Sequence, residues 1–274
     1  MCNACVINSV KKRMINRRRF FKLSTAAAVV GNASLLNLNA GNGNASEAIK
    51  VEDLTHTLVE SFPTFGGEQQ FFLESVYNFE KDGFNSNTIR VTEHTGTHID
   101  ASLHFSKDGK SVDEIPVENL VVPLVVIGIK AKAVQNADAQ LTPDDLKNWI
   151  AANGDLPENC CVAMNSGWDK FVQTEKFRNL DDKGVMHFPG FHPETTLMLQ
   201  ENYKVAGIAV DTLSLDFGAS QDFATHYNWL PSNRWGIECM ANLDTLPAVG
   251  STLIVGAPKH KGGSGGPCRV FAIR

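Results

Sequence analysis

Apolar residues fall in short runs along most of the chain, and turn-forming residues separate these runs. The run at 119–129 is rich in β-branched residues and is apolar at consecutive positions, which predicts a strand buried on both faces. Similar runs predict strands over 160–167, 205–215, 251–258 and 268–274.

Two segments carry helix signals instead. In the first, Thr142 is placed to cap a helix that starts at Pro143, with two acidic residues in its first turn, and Gly154 is placed to end it. The segment 192–202 predicts a second helix. Strands outnumber the helices interspersed among them, and no internal repeat or linker divides the chain after its N-terminal region. The pattern therefore predicts one α/β or α+β domain.

The N-terminal region differs in charge and patterning. A basic cluster, "NRRRFFK", precedes an Ala/Val/Leu run that is too short and too polar at its far end for a membrane span. The cluster resembles a twin-arginine export signal. We predict a signal peptide over 1–45, cleaved after Ala40 or Ala45, a domain over 46–274, and a periplasmic or otherwise exported location. A basic amphipathic arm is the alternative.

Removal of this region changes the charge of the chain. Seven of the 25 basic residues and none of the 30 acidic ones lie within 1–45, so the remainder carries a formal charge of −12. A chain this acidic, without a basic run, offers little for a phosphate backbone to bind. We therefore expect a small-molecule substrate, and neither nucleic acid nor, after signal removal, a membrane as partner.

The stretch "TEHTGTHIDASLHF" concentrates the candidate chemistry. Its candidate ligands all fall on even positions: His94, His98, Asp100 and His104. In an extended chain these side chains point the same way, whereas a helix would turn Asp100 about 200° away from His98. The pattern therefore favours an extended segment.

A straight strand would hold His94 and His98 about 13 Å apart, so the chain must bend if both bind one ion. Gly96 is the residue at which it can bend. Imidazole and carboxylate together suit zinc, with manganese and iron as rivals. Two histidines and one aspartate leave a coordination position for water, which is typical of a catalytic site. A solvent-exposed polar turn with incidental histidines is the alternative.

"HTGTHIDASLHF" resembles the HxGTHxDxPxH motif of the metal-dependent cyclase family, which includes bacterial kynurenine formamidases and isatin hydrolases. Four further segments are similar to the family: "EDLTHTLVESFPTFGG", "DTLSLDFGASQDFATHYNWL", "IECMANLDTLP" and "GGSGGPCRVFAI". The resemblance spans roughly residues 50–274. It implies the swivelling β/β/α fold of the family, an α/β single domain with a mixed β core and flanking helices, assembled as a homo-oligomer.

The resemblance also implies residue roles. It assigns His104 as the acid–base group, and it assigns metal ligands at His94, His98, Asp100, His226 and Glu238. The implied cofactor is a divalent metal, Zn²⁺ first and Mn²⁺ second, with one or two ions per site. Members that resemble isatin hydrolase have glutamine at the position matching Glu238, so this glutamate favours the formamidase-like arrangement with two metals.

Three residues depart from the family pattern. Ser102 replaces a proline, which makes the bend before His104 less rigid. Phe65 stands where formamidases carry a tryptophan that stacks on the substrate, and Phe217 replaces another proline. The last two changes alter the expected pocket wall and leave the identity of the substrate open.

These features predict a metal-dependent hydrolase that cleaves a carbonyl C–N bond of a small aryl formamide or amide. Activated water attacks, and His104 transfers the proton. The alternatives are the ring opening of a cyclic amide or imide, and a non-catalytic periplasmic protein that binds metal or ligand. Aromatic candidates for substrate packing are Phe65, Trp168, Phe188 and Trp229.

The remaining histidines are predicted to be structural or solvated, namely His56, His187, His192 and His260. Ser166 lacks a G-x-S-x-G elbow, which argues against a serine hydrolase. The "GGSGG" run lacks a following helix with a Lys-Ser/Thr start, so we expect it to lead into a strand and not to bind phosphate.

Overall fold

A computed structural model describes residues 49–274, and the predicted signal peptide lies outside these residues. The described residues fall into two compact units. One comprises Leu73–Thr88, and the other comprises Ile49–Phe72 together with Ile89–Arg274. Among the described residues, no helix has the length and apolar character needed to span a bilayer.

The described residues form strands and α-helices in a mixed order along the chain. The strands are β1 (Val51–Asp53), β2 (Phe71–Tyr77), β3 (Ser86–Val91), β4 (His98–Asp100), β5 (Val121–Gly128), β6 (Gln140–Leu141), β7 (Cys160–Asn165), β8 (Gly190–Phe191), β9 (Val205–Val210), β10 (Trp235–Glu238), β11 (Ser251–Gly256), β12 (Gly265–Pro267) and β13 (Arg269–Ile273). The α-helices are α1 (Phe79–Asp82), α2 (Lys130–Gln135), α3 (Pro143–Asn153), α4 (Pro193–Asn202) and α5 (Ala224–Trp229).

A nine-stranded mixed sheet organises the larger unit, in the spatial order β1-β13-β11-β5-β7-β9-β10-β4-β12. Strands β5, β7, β9 and β10 run parallel to one another at its centre. The flanking strands are antiparallel, with β4 beside β10 and β12 beside β4 on one side. This confirms the predicted α/β class with a mixed β core and flanking helices.

Alternating side chains of the central strands fill two separate cores. In β5, Leu124 belongs to the cluster shared with strands β10, β11 and β13. Its neighbour Val125 belongs to the cluster shared with Leu146 and Trp149 of α3 and with Leu199 of α4. The central sheet is therefore buried on both faces, as the continuous apolar runs predict.

Helix α3 begins and ends where the sequence predicts. The Thr142 side chain accepts a hydrogen bond from the backbone of Asp145, Pro143 occupies the first turn, and Gly154 follows the helix with a positive φ. On its buried face, Trp149 donates its indole N–H to the Val126 carbonyl at 2.9 Å. The helix is thus fixed at its N-terminus by a cap and along its length by packing against β5.

Strand β9 ends earlier than predicted, at Val210 instead of residue 215. The buried Asp211 carboxylate accepts hydrogen bonds from the backbone N–H of Ser166 at 3.1 Å and of Trp168 at 2.9 Å. It also accepts the Ser166 hydroxyl at 2.6 Å. These bonds draw the chain toward the loop after β7, so ladder pairing stops there although the sequence stays apolar.

The smaller unit, Leu73–Thr88, contains most of the β2–β3 pair and helix α1. Asn78 caps α1 by accepting a hydrogen bond from the Lys81 backbone, and Gly83 ends the helix in the left-handed conformation. The connection is therefore a capped helical turn between two paired strands.

Candidate active site

Strand β4 places two of the predicted ligands on one face. His98 lies opposite Glu238 of β10, and Asp100 lies opposite Gly236 of the same strand. Between them, Ile99 points to the opposite face and is fully buried in the core. The two-residue period of the strand and its pairing with β10 therefore bring His98, Asp100 and Glu238 together.

The chain bends immediately before β4, as predicted. Gly96 has a φ of +72°, a conformation that favours glycine. A β-carbon at this position would also lie 2.9 Å from the Leu58 side chain. The bend brings the His94 and His98 rings to a centroid distance of 5.2 Å, far closer than a straight strand allows.

The extended conformation predicted through residue 104 is wrong beyond Asp100. The chain turns into a 3₁₀ helix over Ser102–His104, where the His104 backbone N–H donates to the Ala101 carbonyl at 3.0 Å. This turn stacks the His104 ring on that of His94, with centroids 3.7 Å apart and an angle of 20° between the planes. His104 thus reaches the site through a turn.

The ligand atoms fall into two sets that share Asp100. His94, Asp100 and His104 form one set, and His98, Asp100 and Glu238 form the other. Within each set the ligand atoms lie within 4.8 Å of one another. Of the three histidines that contact the Asp100 carboxylate, His94 lies nearest: its Nδ1 is 2.7 Å from Asp100 Oδ1. The arrangement offers two imidazoles on one side of a central carboxylate, and an imidazole and a second carboxylate on the other.

His226 joins the cluster from helix α5. Its Nε2 lies 3.2 Å from Glu238 Oε1 and 3.7 Å from Asp100 Oδ2. Its Nδ1 is 2.6 Å from Asp216 Oδ2, and the same oxygen accepts the His226 backbone N–H at 3.2 Å. A carboxylate can only accept, so Asp216 keeps a ring proton on Nδ1, and Nε2 is the ring atom that faces the cluster.

Burial and charge shift the protonation of these groups. Burial alone would lower the pKa of His98, but the carboxylates of Asp100 and Glu238, 3.3 Å and 3.4 Å from its Nε2, outweigh burial and raise this pKa to about 10. Burial lowers the pKa of His104 to about 4, assisted by the nearby His94 and His226. The cluster of buried carboxylates therefore favours positive charge, whereas His104 is a neutral imidazole at pH 7.

The residues present fit a divalent metal. His98 Nε2 and Asp100 Oδ2 are buried and form no hydrogen bond of good geometry among the described residues. Such atoms are costly to bury unless something else satisfies them. Both atoms are on residues of the donor sets above, so a cation held by imidazole and carboxylate groups would satisfy them.

A cavity of about 310 Å³ opens beside the cluster. The predicted Phe65 lines it, together with Phe105 and Phe223, which the sequence analysis did not identify. The other lining residues are Pro63, Thr64, Gly66, Gln70, Thr92, His94, Gly96, His98, His104, Leu213, Ser214, His226, Glu238 and Cys239. The candidate ligands thus form one end of a cavity with phenylalanine rings on its wall.

Three predicted aromatic contacts with the substrate are wrong. Trp168, Phe188 and Trp229 are almost fully buried in the hydrophobic cores, and none of them is among the described residues that line the cavity. Phe217, expected at the pocket wall, does not line it either. The sequence marks these residues as aromatic but does not show which face of the sheet they occupy.

The other histidines have local structural contacts. His56 lies beside the rings of Phe62 and Phe177, and burial lowers its pKa. His187 contacts Asp138 at 2.7 Å, and His192 accepts the Glu194 backbone N–H at the start of α4. Among them, His260 is half-exposed and contacts Glu93 at 2.7 Å.

The glycine-rich run also supports the site. Gly265 and Gly266 belong to β12, as expected for a run that leads into a strand. A β-carbon on Gly265 would lie 2.8 Å from the His94 ring and 2.4 Å from the Ile99 carbonyl oxygen. Ser264, one residue earlier, is 2.9 Å from His94 Nε2 through its hydroxyl. This segment therefore sets the position of the His94 ring.

The chain is similar in sequence to known proteins. The family model described as "Putative cyclase" matches residues 52–217. The isatin hydrolase of Roseibium aggregatum is 32% identical over 212 residues, which cover 73% of this chain and 80% of that protein. The kynurenine formamidase of Salinibacter ruber is 29% identical over 219 residues, covering 79% and 94% of the two chains.

A solved structure resembles the whole fold as well. Isatin hydrolase A from Labrenzia aggregata, bound to benzyl benzoate, superposes with a TM-score of 0.78 at 36% identity, over 84% of this chain and 95% of that one. The family match covers the segment that bends at Gly96 and supplies His94, His98 and Asp100. The chain therefore belongs to the cyclase family, and its fold is the cyclase fold that the motif implied.

Proposed function

We propose that the protein is a metal-dependent hydrolase that cleaves the carbonyl C–N bond of a small aryl formamide or amide. The observation that carries this proposal is the convergence of two donor sets on Asp100 at the end of a cavity that His104 also lines. Relatives named isatin hydrolase and kynurenine formamidase support the same reaction class.

The metal would be held by His94, His98, Asp100, His226 and Glu238. Asp100 belongs to both donor sets of the described residues, so it would serve as a ligand whether one ion or two were held. His104, which the first set also contains, is assigned to proton transfer. Zn²⁺ is the first candidate and Mn²⁺ the second, because the donors are imidazoles and carboxylates without thiolate. When bound, such a metal supplies Lewis-acid polarisation of the carbonyl and makes water acidic enough to react near neutral pH.

His104 is placed to move the proton. Its ring lies against His94 at 3.7 Å and 5.9 Å from the ring of His226, and it lines the cavity. It can accept a proton from the attacking water and donate it to the leaving nitrogen, which departs as an amine. The phenyl rings of Phe65, Phe105 and Phe223 line the same cavity and make part of its wall apolar.

Substitution of His104 tests this role. His104→Ala should lower kcat by about 10²–10⁴-fold while the metal content, measured by elemental analysis, stays at the wild-type level. His187→Ala is a matched control, because His187 is a partly buried histidine that contacts Asp138 away from the cavity. Turnover close to wild type in His104→Ala would remove His104 from the mechanism.

Ring opening of a neutral cyclic amide is the second candidate. Among the described residues, no lysine or arginine lines the cavity. N-formylkynurenine carries an α-amino acid group whose carboxylate would have no lysine or arginine partner there, whereas isatin is uncharged. A comparison of kcat/KM for the two compounds separates these candidates. Metal binding without hydrolysis of any amide, ester or lactone would instead indicate a non-catalytic binding protein.

We also propose export through the twin-arginine-type signal and assembly as a homo-oligomer. The basic cluster and apolar run within residues 1–45 support the first, and the family resemblance supports the second. Fractionation of cells that express the full chain, followed by N-terminal sequencing, tests export and distinguishes cleavage after Ala40 from cleavage after Ala45. Light scattering on the purified protein tests assembly.

A further inference from the structure

Phe223 has an unusual backbone conformation. Its φ of 50° and ψ of 41° lie in the left-handed region. Six non-glycine residues of the described chain have a positive φ; four are asparagines, and the others are Phe223 and Cys239. Asparagine adopts this region readily, whereas a bulky side chain is strained in it. A phenylalanine here requires an explanation.

Hydrogen bonds fix the helical turn that comes directly after Phe223. The Asp216 carboxylate accepts the backbone N–H of Thr225 at 2.8 Å and of His226 at 3.2 Å, which fixes the first turn of α5. The Tyr227 N–H donates to the Phe223 carbonyl at 2.9 Å. The chain enters the helix through a left-handed residue, and glycine or asparagine would do so without strain. The backbone alone therefore gives no reason for phenylalanine.

The side chain supplies the reason. The Phe223 ring lines the cavity, 5.9 Å from the ring of Phe65 and 5.8 Å from that of Phe105. It also meets the His226 ring edge-on, at 5.9 Å and 81°. Phe65, Phe105 and Phe223 come from three separate segments, so their convergence is a product of the fold. They form an apolar wall beside the proposed metal ligands.

We propose that Phe223 is a substrate-positioning residue that holds a neutral, planar aryl group against the wall formed with Phe65 and Phe105. The strained backbone persists because only a large ring at this position completes the wall. The inference rests on the proposed function for the identity of the substrate class. The conformational part of it does not depend on catalysis.

Two substitutions separate the ring from the backbone. Phe223→Ala and Phe223→Gly both remove the ring, but only glycine relieves the left-handed strain. We expect both to weaken binding of isatin by about 3- to 10-fold, because aromatic contacts are lost. We expect the unfolding equilibrium constant in urea to be about 5- to 30-fold smaller for Phe223→Gly than for Phe223→Ala.

Binding is measured by calorimetry on metal-loaded protein that also carries His104→Ala, so that isatin is consumed about 10²–10⁴-fold more slowly. Asn159→Gly is the control, because Asn159 is an exposed left-handed residue that does not line the cavity. It should leave isatin affinity unchanged. A wild-type chain that hydrolyses no amide would refute the proposed function, while binding and unfolding would still decide the role of Phe223.

Unchanged isatin affinity in both Phe223 variants overturns the proposal. So does a Phe223→Gly variant no more stable than Phe223→Ala, because the backbone would then carry no strain to be retained. If the His104→Ala parent does not bind isatin at all, a neutral planar aryl group is the wrong occupant, and the proposal also fails.

Discussion

The hydrogen bonds of Asp216 predict that Asp216→Asn will weaken metal binding without removing any proposed ligand. In the native chain, Asp216 Oδ2 lies 2.6 Å from His226 Nδ1 and accepts the His226 N–H at 3.2 Å. Its Oδ1 accepts the Thr225 N–H at 2.8 Å. All three groups donate, and the Ser220 hydroxyl also donates to Oδ1 at 3.5 Å, so one side of an asparagine amide must face a donor with its own NH₂ group.

The distances indicate which orientation the asparagine adopts. If the NH₂ group faces Thr225, the 2.8 Å hydrogen bond from the Thr225 N–H is lost. If it faces His226, the longer 3.2 Å bond from the His226 N–H is lost, and the imidazole ring can adapt by changing its tautomer. The second orientation costs less. It makes Nδ1 an acceptor and moves the ring proton to Nε2, the atom that faces Glu238 at 3.2 Å. A protonated Nε2 cannot donate a lone pair to a metal.

We expect metal affinity to fall by about 10- to 100-fold, the usual effect of losing a hydrogen-bonded partner of a metal-binding histidine. The free energy of unfolding should fall by about 1–3 kcal/mol, because one buried N–H loses its acceptor. Competition with a chromophoric chelator measures the affinity, and ¹⁵N NMR of the histidine ring reports the tautomer. Asp222→Asn is the control, because Asp222 is exposed and bonds only at 3.3 Å to the Ala224 N–H and the Ser220 hydroxyl. Wild-type affinity in Asp216→Asn, with the Nδ1-protonated tautomer retained, would refute the reasoning.

Two further predictions concern stability. Chelation of the metal should lower the thermal midpoint, measured by differential scanning fluorimetry, by about 5–10 °C relative to protein at a metal concentration of 100 Kd. Bound metal at that concentration contributes about 2.7 kcal/mol to the free energy of unfolding. The variant Asp100→Asn should show a much smaller shift on chelation. Burial raises the pKa of Asp211 from 3.8 to about 6, so the folded state binds the extra proton between these pH values and stability falls as pH rises through this window, by about 3 kcal/mol. In Asp211→Asn this pH-dependent loss of stability is absent. The difference in the free energy of unfolding in urea between wild type and Asp211→Asn should therefore shrink from pH 4 to pH 6, and a difference independent of pH would contradict the assignment.

Local signals in the sequence predict the elements of this fold well. Helix α3 starts at Pro143 and ends before Gly154 because capping, proline and glycine act within a few residues of where they occur. The prediction for β9 fails because the interaction that ends the strand is not local. Asp211 bonds to a loop 43 and 45 residues away, and an apolar run carries no sign of that contact.

The candidate site likewise has parts that local sequence signals predict and parts that they do not. Spacing and the glycine at 96 predict that His94 and His98 approach each other, because a bend is a local property. The stacking of His104 on His94 could not be read from even spacing, since it depends on a 3₁₀ turn that breaks the two-residue period. Asp216 was missed although it lies in a segment that resembles the family, because a residue ten positions before His226 has no periodic relation to it.

The register of β4 explains why a short, three-residue strand can hold so much charge. Asp100 lies opposite Gly236 on one side and Gly265 on the other, so neither neighbouring strand places a side chain beside its carboxylate. A β-carbon on Gly236 would lie 2.6 Å from the Leu215 side chain, and one on Gly265 would collide with the Ile99 carbonyl oxygen at 2.4 Å. Both positions therefore require glycine, because Leu215 fills the space beside Gly236 and the Ile99 backbone fills the space beside Gly265. Two buried polar atoms of this cluster, His98 Nε2 and Asp100 Oδ2, form no hydrogen bond of good geometry among the described residues, so the fold presents donor atoms that a cation would satisfy.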